Sequence, residues 1–268
     1  MNRSTIAWLS TAMLSASAGL LHAQDTVPAS AGSSQQPAQP AAAPSPLAWH
    51  GTVNFGITLA AGVQSQRGYN FSVGVKRPFS DEGSFVAQAG RQYENVTFPD
   101  ESLLADRSSF AIGLDEDITR HTVAMVRSLY LRDRLMLVNS RYEELLGYGL
   151  RLRNQKKTIE LMLVPGLSVF NEDLTFTGAQ DQGWQSAGGF FEKFTGKFNN
   201  VWSVENSFRF RHNFTGVDHS TESLASVSGM FTKALGLQLE LQYNYESVVP
   251  DDFPNYIVVL SAGLKFQF

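Results

Sequence analysis

Histidine and serine are the residue types in this chain that could support catalysis, because an imidazole can activate a hydroxyl group for attack on an ester. Beyond the N-terminal region the histidines are His50, His121, His212 and His219. Lipid hydrolases built on β-strands place a His and a Ser two residues apart, so that both lie on one strand face. No histidine here has that spacing, and the adjacent His219 and Ser220 would lie on opposite faces of a strand. The sequence therefore predicts no catalytic residue, and a lipid hydrolase is the less favoured alternative.

The composition excludes several other kinds of chemistry. The chain has no cysteine, which removes thiol catalysis, cysteine zinc sites, iron–sulfur clusters and disulfide scaffolds. Its formal net charge of -4 argues against a strongly basic nucleic-acid binder. No glycine-rich phosphate loop is present, since Gly147 and Gly149 fall inside a predicted strand. We therefore expect no cofactor, no metal and no nucleic-acid partner.

Ten charged residues share one side of an alternating sequence pattern and form the candidate site. They are Lys76, Arg151, Arg153, Glu160, Lys193, Glu205, Arg209, Arg211, Glu240 and Lys265. Ion pairs between them would fill and stiffen a narrow lumen, whereas a charged constriction would select a small ion or solute. Because both charge signs are interleaved, the pattern favours ion pairs, and the constriction stays open as the alternative.

Acidic residues also mark the longer predicted loops: Asp100, Glu101, Glu172, Asp173, Asp181, Asp251 and Asp252. Their carboxylates could bind divalent cations that bridge to lipopolysaccharide phosphates. Their spacing does not match a calcium-binding loop, which has fixed ligand positions and a central glycine. We expect these residues to keep an exposed surface solvated.

The elements that must position these side chains are β-strands, because apolar and polar residues alternate with a period of two from Trp49 onward. In the first segment Phe55 and Ile57 share one side, while Thr52 and Asn54 share the other. Segments of roughly ten residues with this alternation, separated by polar turns, are typical of transmembrane β-barrels. Aromatic residues at strand ends, including Trp49, Tyr142, Trp184, Trp202 and Tyr256, fit girdles at the membrane interfaces.

Twelve segments follow the alternation, near 49–63, 67–78, 84–95, 106–115, 120–133, 141–153, 157–170, 184–196, 200–213, 221–232, 236–247 and 256–268. The sequence thus predicts an all-β fold, an antiparallel transmembrane β-barrel of about twelve strands, with ten as the alternative count. An even count places both termini on the periplasmic side. The connections agree, because turns after even-numbered strands are short and the longest loops follow odd-numbered strands. Arg127 fits poorly, since it falls in the outward phase of strand 5, and we expect a bulge or shifted register there.

A soluble β-sandwich or calyx also alternates and is the competing interpretation. A soluble calyx needs only about eight strands, whereas this chain has length for about twelve. The side facing away from the polar one carries Trp, Phe, Tyr and Leu, where a soluble barrel would carry polar residues. No stretch of about 18 apolar residues lies beyond the N-terminus, which excludes a helical membrane span.

Residues 1–23 are predicted to form a secretory signal peptide. Arg3 supplies the positive charge, the apolar stretch Ile6 to Leu21 follows, and Ala23 is the small residue that cleavage requires. Residues 24–47 are rich in Pro, Ala, Ser and Gln and are predicted to form a disordered linker, because they offer nothing to bury. Residues 48–268 would then form the barrel in the outer membrane of a Gram-negative cell.

The last strand resembles the C-terminal strand that the outer-membrane assembly machinery recognises. In that pattern the final residue is aromatic and the residue two positions before it is hydrophobic. The matching positions in this chain are Tyr256, Leu264, Phe266 and Phe268. The resemblance implies that this machinery is a partner of the chain.

Three stretches of the chain are similar to the DUF481 family, whose members are described as salt-induced outer membrane proteins. They are the opening WHGTVNFGITLAAG, the central RYEELLGYGLRLRNQKKTIELMLVPGLSV and the closing YNYESVVPDDFPNYIVVLSAGLKFQF. The family's Ser-Gly-Asn-Thr turn after the first strand is replaced here by AGVQSQRGYN. The resemblance implies the fold and the membrane, and it brings no catalytic residue and no defined substrate.

Together these observations favour a non-catalytic, stress-associated barrel of the cell envelope, in contact with outer-membrane lipid and lipopolysaccharide. A narrow channel for small solutes or ions is the alternative from a different functional class.

Overall fold

The computed structural model describes residues 48–60, 65–80, 82–97, 102–134, 136–175, 183–199, 201–216, 218–250 and 255–268. The predicted signal peptide (1–23) and linker (24–47) lie outside these residues. The loop residues Asp100, Glu101, Asp181, Asp251 and Asp252 also lie outside them.

Twelve β-strands make up the described structure, as the alternation predicts. They are β1 (His50–Ala60), β2 (Ser65–Pro78), β3 (Gly83–Thr97), β4 (Ser102–Thr119), β5 (Thr122–Asp133), β6 (Val138–Arg153), β7 (Ile159–Leu174), β8 (Trp184–Lys197), β9 (Trp202–Asn213), β10 (His219–Met230), β11 (Leu235–Glu246) and β12 (Tyr256–Gln267). The all-β prediction and the count of twelve are confirmed, and the alternative count of ten is wrong. The largest difference in bounds is at β4, which extends beyond the predicted 106–115 at both ends.

The strands form a closed antiparallel barrel in which each strand pairs with its sequence neighbours and β1 pairs with β12. At this seam the Gly51 and Phe268 main chains exchange hydrogen bonds of 2.9 and 3.0 Å. Closure leaves no strand edge unpaired, which a barrel in lipid requires. We call the end of the barrel that carries His50 and Phe268 the terminal end, and the opposite end the loop end.

The outward face of the barrel is apolar and exposed. Phe55, Ile57, Leu146 and Leu167 all point outward and are about half exposed or more. The girdle residues Trp49, Tyr142, Trp184, Trp202 and Tyr256 are exposed as well. A soluble monomer rarely exposes so continuous an apolar surface, whereas a transmembrane barrel presents it to lipid. Within the described residues, no helix is long and apolar enough to cross a membrane.

All five turns at the terminal end are organised by a side-chain oxygen that accepts main-chain N–H groups. The five residues are Ser80, Thr119, Asn154, Asn199 and Thr232. For example, Asn154 Oδ1 accepts hydrogen bonds from Thr158 N at 2.8 Å and Ile159 N at 3.1 Å. Short polar side chains of this kind substitute for backbone partners in tight turns. These turns hold the strand pairs in register at the end where the connections are short.

Arg127 points into the barrel, so its predicted outward phase is wrong. It lies opposite Gly113 in the β4–β5 register and forms an ion pair with Asp115 at 2.5 Å. A Cβ atom on Gly113 would lie 2.5 Å from Arg127 Nη1, so the glycine makes room for the guanidinium. The prediction failed because β5 carries apolar residues on both faces, and Met125 points inward as well. Register irregularities occur at both ends of β5, as expected for a locally shifted strand.

Candidate functional site

The lumen of the barrel contains all ten charged residues of the candidate set. The register places each of them on the inward side of its strand. Arg209 and Arg211 lie in the half nearer the loop end. The other eight lie in the half nearer the terminal end. The two halves differ in how their charges are paired.

A cross-lumen network of ion pairs occupies the loop-end half. Its members are Arg107, Asp133, Arg141, Glu143, Glu172, Arg209, Arg211, Asp218, Glu222 and Glu246. Arg141 donates to Glu246 at 2.7 Å and also to Glu172. Arg209 donates to Glu143. These groups are mostly buried although they lie inside a barrel, because they cover one another.

Several of these contacts join strands that are far apart around the barrel. Arg107 on β4 lies 3.6 Å from Glu222 on β10, and these two strands are diametrically opposite in the strand order. The Arg141–Glu246 pair joins β6 to β11. A contact between opposite walls must pass through the middle of the lumen, so the network bridges the barrel at this level.

Arg211 lies at the centre of the network with its side chain 2% exposed. Its guanidinium lies over the Phe170 ring at 4.0 Å, a cation–π geometry. The carboxylates of Glu143, Glu172 and Asp218 lie 3.6 to 3.9 Å away, within ion-pair range but outside hydrogen-bond range. Arg211 thus lies between three acidic groups and donates no hydrogen bond to any of them.

An apolar cluster also bridges the lumen, nearer the loop end than the network. It consists of Met136, Val138, Ile257 and Val259, with Leu174 packed against them. Met136 lies in the β5–β6 connection, whereas Ile257 and Val259 lie on β12, on the opposite side of the barrel. Ion pairs and apolar contacts therefore cross the same half of the lumen in succession.

The charges in the terminal-end half follow one wall instead of crossing the lumen. Arg151 contacts Asp117, Asp115 and Glu160, and Arg153 contacts Asp117 and Glu160 at 2.7 Å. These residues lie on β4, β6 and β7, which are close together in the strand order. In the terminal-end half, therefore, these ion pairs line one wall and do not reach the opposite wall.

Lys193 and Glu205 form a separate pair at 2.8 Å on β8 and β9, with side chains 41% and 44% exposed. Lys265 donates to Ser228 Oγ at 3.1 Å, and Glu240 accepts from Gln238 at 2.9 Å. Among the ion pairs between described residues, none involves Lys76, Lys265 or Glu240. The lumen around Lys193 and Glu205 is therefore more open to water than the cross-lumen network is.

Sequence reasoning missed most of the cross-lumen network and all of the apolar cluster. Arg107, Arg141, Glu143, Glu222 and Glu246 follow the same alternation as the ten predicted charges, so extending that phase would have found them. The apolar cluster breaks the rule that inward residues are polar. Its one signal is the run Ile257 to Leu260, in which both faces are apolar.

Glu172 is not a solvated loop residue, which corrects the expectation for the acidic loop positions. It lies on β7, faces inward and pairs with Arg141. Its neighbour Asp173 is exposed and accepts a hydrogen bond from Asn139 Nδ2 at 2.5 Å. Because strand alternation continues through this pair, one carboxylate enters the lumen and the other faces outward.

Two of the histidines, His212 and His219, lie opposite each other on β9 and β10. His219 faces outward beside Tyr245, with ring centroids 5.4 Å apart, and His212 is 6.4 Å away. Ser220 faces inward and is buried, so the side chains of His219 and Ser220 lie on opposite faces of β10, as the sequence predicts. Among the described residues, no group of three His, Asp or Glu side chains is placed to hold a metal ion.

Residues 53–268 match the family model described as "Protein of unknown function, DUF481". Because the match covers most of the sequence, the chain belongs to the DUF481 family, as its resemblance implies. No curated protein matches the chain.

Solved structures with a similar fold are membrane barrels. An outer membrane channel from Pseudomonas putida F1 is 9% identical, with 88% of this chain and 100% of that chain covered and a TM-score of 0.50. The NanC porin is 9% identical, covers 81% of this chain and 98% of its own, and has a TM-score of 0.49. The translocator domain of the autotransporter NalP from Neisseria meningitidis is 13% identical over 99% and 97%, with a TM-score of 0.44. At these identities the likeness concerns the fold alone, which is a barrel of the outer-membrane type.

Proposed function

We propose that this member of the DUF481 family is a non-catalytic, non-conducting barrel of the outer membrane that serves the cell envelope as a structural component. The observation that supports the proposal is that contacts between opposite walls cross the loop-end half of the lumen. Arg107–Glu222 and Arg141–Glu246 bridge the lumen, and the pair Val138 and Ile257 belongs to an apolar cluster that spans it. The link to salt stress stays an expectation from the family resemblance.

A barrel of twelve strands is wider inside than one of eight strands. Small eight-stranded barrels are filled by their own side chains, whereas porins of about sixteen to eighteen strands hold open channels. A barrel of twelve strands must fill the additional width with long side chains if it is to be closed. Arg and Glu have that reach, and pairing them satisfies charges that would otherwise be buried alone.

The partners of this barrel would be those of an outer-membrane protein. The exposed apolar belt and its aromatic girdles would contact lipid, and the outer rim would contact lipopolysaccharide. We further propose that the assembly machinery recognises β12 through Tyr256, Leu264, Phe266 and Phe268. All four side chains face outward and are exposed in the folded barrel.

A narrow channel for small ions or solutes is the second candidate function. It is supported by the terminal-end half, where the Lys193–Glu205 pair is accessible and no described ion pair bridges opposite walls. A channel would then require only that the loop-end half opens.

Single-channel recording of the refolded mature protein in a planar bilayer tests the proposal. We expect no current steps from wild-type protein that has demonstrably folded into the bilayer. The double variant Arg141→Ala/Arg209→Ala should produce stable steps, because it removes two of the contacts that bridge the lumen. Folding is verified by the heat-dependent gel mobility of the barrel.

The matched control is the double variant Lys193→Ala/Glu205→Ala, which removes an ion pair along the wall and should stay silent. Stable current steps from the wild type would contradict the proposal and favour the channel. Replacing Arg209 and Arg211 by Gln would then be expected to alter its ion selectivity.

A further inference from the structure

A small cavity lies inside the barrel against the seam between β1 and β12, apart from the ion-pair networks. Its polar lining comes from Asn54, Asn70, Gln238, Glu240 and Ser261, together with the backbone at two glycines. It has room for the centre of one water-sized sphere, about 10 Å³. That volume is near the minimum for a single water molecule or an ion of similar size.

Three amide side chains around this cavity are each held through their donor end. Asn54 Nδ2 donates to Ser72 at 3.1 Å, and Asn70 Nδ2 donates to Ser261 at 3.0 Å. Gln238 Nε2 donates to Glu240 at 2.9 Å. Because each NH₂ group is engaged, the orientation of the amide is set by the network and its oxygen is left for another partner.

The three amide oxygens have no hydrogen-bond donor among the described residues, and all three are buried. They are Asn54 Oδ1, Asn70 Oδ1 and Gln238 Oε1. A buried acceptor without a partner destabilises the fold, because it has lost its hydrogen bonds to water and gained none in return. Three such acceptors on side chains that line one small cavity therefore point to a ligand that interacts favourably with several oxygens at once.

Two glycines, Gly56 and Gly263, allow close approach of the groups around the cavity. Asn70 Oδ1 lies 2.1 Å from the position that a Cβ atom on Gly56 would occupy. A Cβ on Gly263 would lie 2.1 Å from Phe55 O. A side chain at position 56 would displace the Asn70 amide, and one at position 263 would collide with the main chain of β1, so both positions require glycine.

A single water molecule does not account for the arrangement. Water donates two hydrogens, whereas the cavity presents three amide oxygens and the carboxylate of Glu240. A cation interacts with all of these oxygens simultaneously, and carbonyl and carboxylate oxygens are the ligands that hard cations prefer.

We propose that Asn54, Asn70, Gln238, Glu240 and Ser261 form a binding site for a small monovalent cation of the size of sodium or potassium. Glu240 supplies the single negative charge of the site and takes part in no ion pair among the described residues. One carboxylate balances one positive charge, whereas the divalent sites of proteins usually combine several carboxylates. The nearest lysine along β12, Lys265, donates instead to Ser228 on β10.

The site joins both sides of the barrel seam and its neighbours. Asn54 lies on β1, Asn70 on β2, Gln238 and Glu240 on β11, and Ser261 on β12. A bound cation therefore contacts four strands around the point where the first and last strands meet, and it stabilises closure of the barrel. This role is independent of whether the lumen conducts.

Thermal unfolding of the full-length mature protein at constant ionic strength tests the site. Sodium chloride and potassium chloride are compared with N-methyl-D-glucamine chloride, whose cation is too large for the cavity. We expect the Tm to rise with the concentration of the small cation, because a ligand that binds only the folded state stabilises it by mass action. Glu240→Gln should abolish this cation-specific rise.

The matched control is Glu94→Gln. Glu94 is also an inward carboxylate, and it accepts a hydrogen bond from Gln92 at 2.6 Å, two residues before it, as Glu240 does from Gln238. It lies outside the cavity, so the control should keep the cation-specific rise in Tm. Equal Tm values in all three salts for the wild type would overturn the proposal, as would loss of the rise in both variants or in neither.

A direct measurement on the wild type tests the site even if Glu240→Gln fails to fold. Wild-type crystals soaked in thallium(I), a heavy substitute for potassium, should show an anomalous peak within reach of the Asn54, Asn70 and Gln238 oxygens. The peak should be lost in Ser261→Ala, which removes a neutral ligand and a hydrogen-bond partner of Asn70. Absence of a peak from the wild-type cavity would overturn the proposal.

Discussion

At the scale of single residues, the two halves of the lumen place similar side chains in different environments. Arg141 is 5% exposed and lies between the carboxylates of Glu172 and Glu246. Lys193 is 41% exposed and faces one carboxylate, that of Glu205. Burial decides what each cation contributes, because solvent screens an exposed pair and not a buried one.

Arg141→Met should lower the free energy of unfolding by about 3–5 kcal/mol, because it leaves buried Glu246 without its ion-pair partner and Glu172 with only the longer contact to Arg211. Lys193→Met should change it by about 0–1 kcal/mol, since an exposed pair is worth little. Equilibrium unfolding in urea, with the protein refolded into detergent micelles, measures both values. A larger loss for Lys193→Met than for Arg141→Met would contradict the assignment of the buried network.

At the scale of elements, β1 and β12 are joined by more than their hydrogen bonds. The Phe268 ring lies over Gly51, where a Cβ atom would be 2.2 Å from the ring. The same two residues exchange main-chain hydrogen bonds. The terminal aromatic residue thus closes the seam, in addition to the assembly role that we propose for it.

Gly51→Val and Phe268→Ala separate these two roles. Gly51→Val should reduce the folded fraction during refolding into micelles without any cellular factor, because its side chain would displace the Phe268 ring. Phe268→Ala should refold in micelles to a greater extent than Gly51→Val, yet accumulate poorly in the outer membrane of cells. Heat-dependent gel mobility reports the folded fraction in both settings. Normal accumulation of Phe268→Ala in cells would contradict the recognition of β12.

At the scale of the whole molecule, the lumen is asymmetric along its axis. The loop-end half is bridged by the cross-lumen network and the apolar cluster, whereas the terminal-end half has accessible charges. The asymmetry follows from which walls the long side chains reach, since in one half they span the barrel and in the other they lie along it. Water should therefore enter from the terminal end and stop at the network.

Cysteine labelling can map this boundary, because the chain has no cysteine of its own. Ser207 faces inward opposite Lys193, and Ser220 faces inward opposite Arg211 and Glu246. A polar maleimide should modify Ser207→Cys rapidly in the folded protein, while Ser220→Cys should react only after unfolding. Mass spectrometry after timed exposure measures both rates. Equally fast modification of both cysteines would indicate an open, water-filled path.

The sequence by itself determined the barrel. Alternation with a period of two is a local property of extended chain, and it predicted twelve strands, their inward and outward sides, and the asymmetry between turns and loops. The alternation assigned Arg127 to the wrong face of β5. Apolar residues such as Met125 occupy both faces of this strand, so polar and apolar positions do not alternate clearly there. The inward side of Arg209 and Arg211 follows from the same local rule.

Only the tertiary structure decided what the inward residues do. Arg107 and Glu222 are distant in sequence and meet because closure of the barrel places β4 opposite β10. The Asn70–Ser261 hydrogen bond likewise exists only because β12 returns to β1 beside β2. Alternation specifies the face of a strand to which a side chain belongs. It carries no information about which residues meet across the lumen. Those contacts depend on the number of strands, their register and the reach of each side chain.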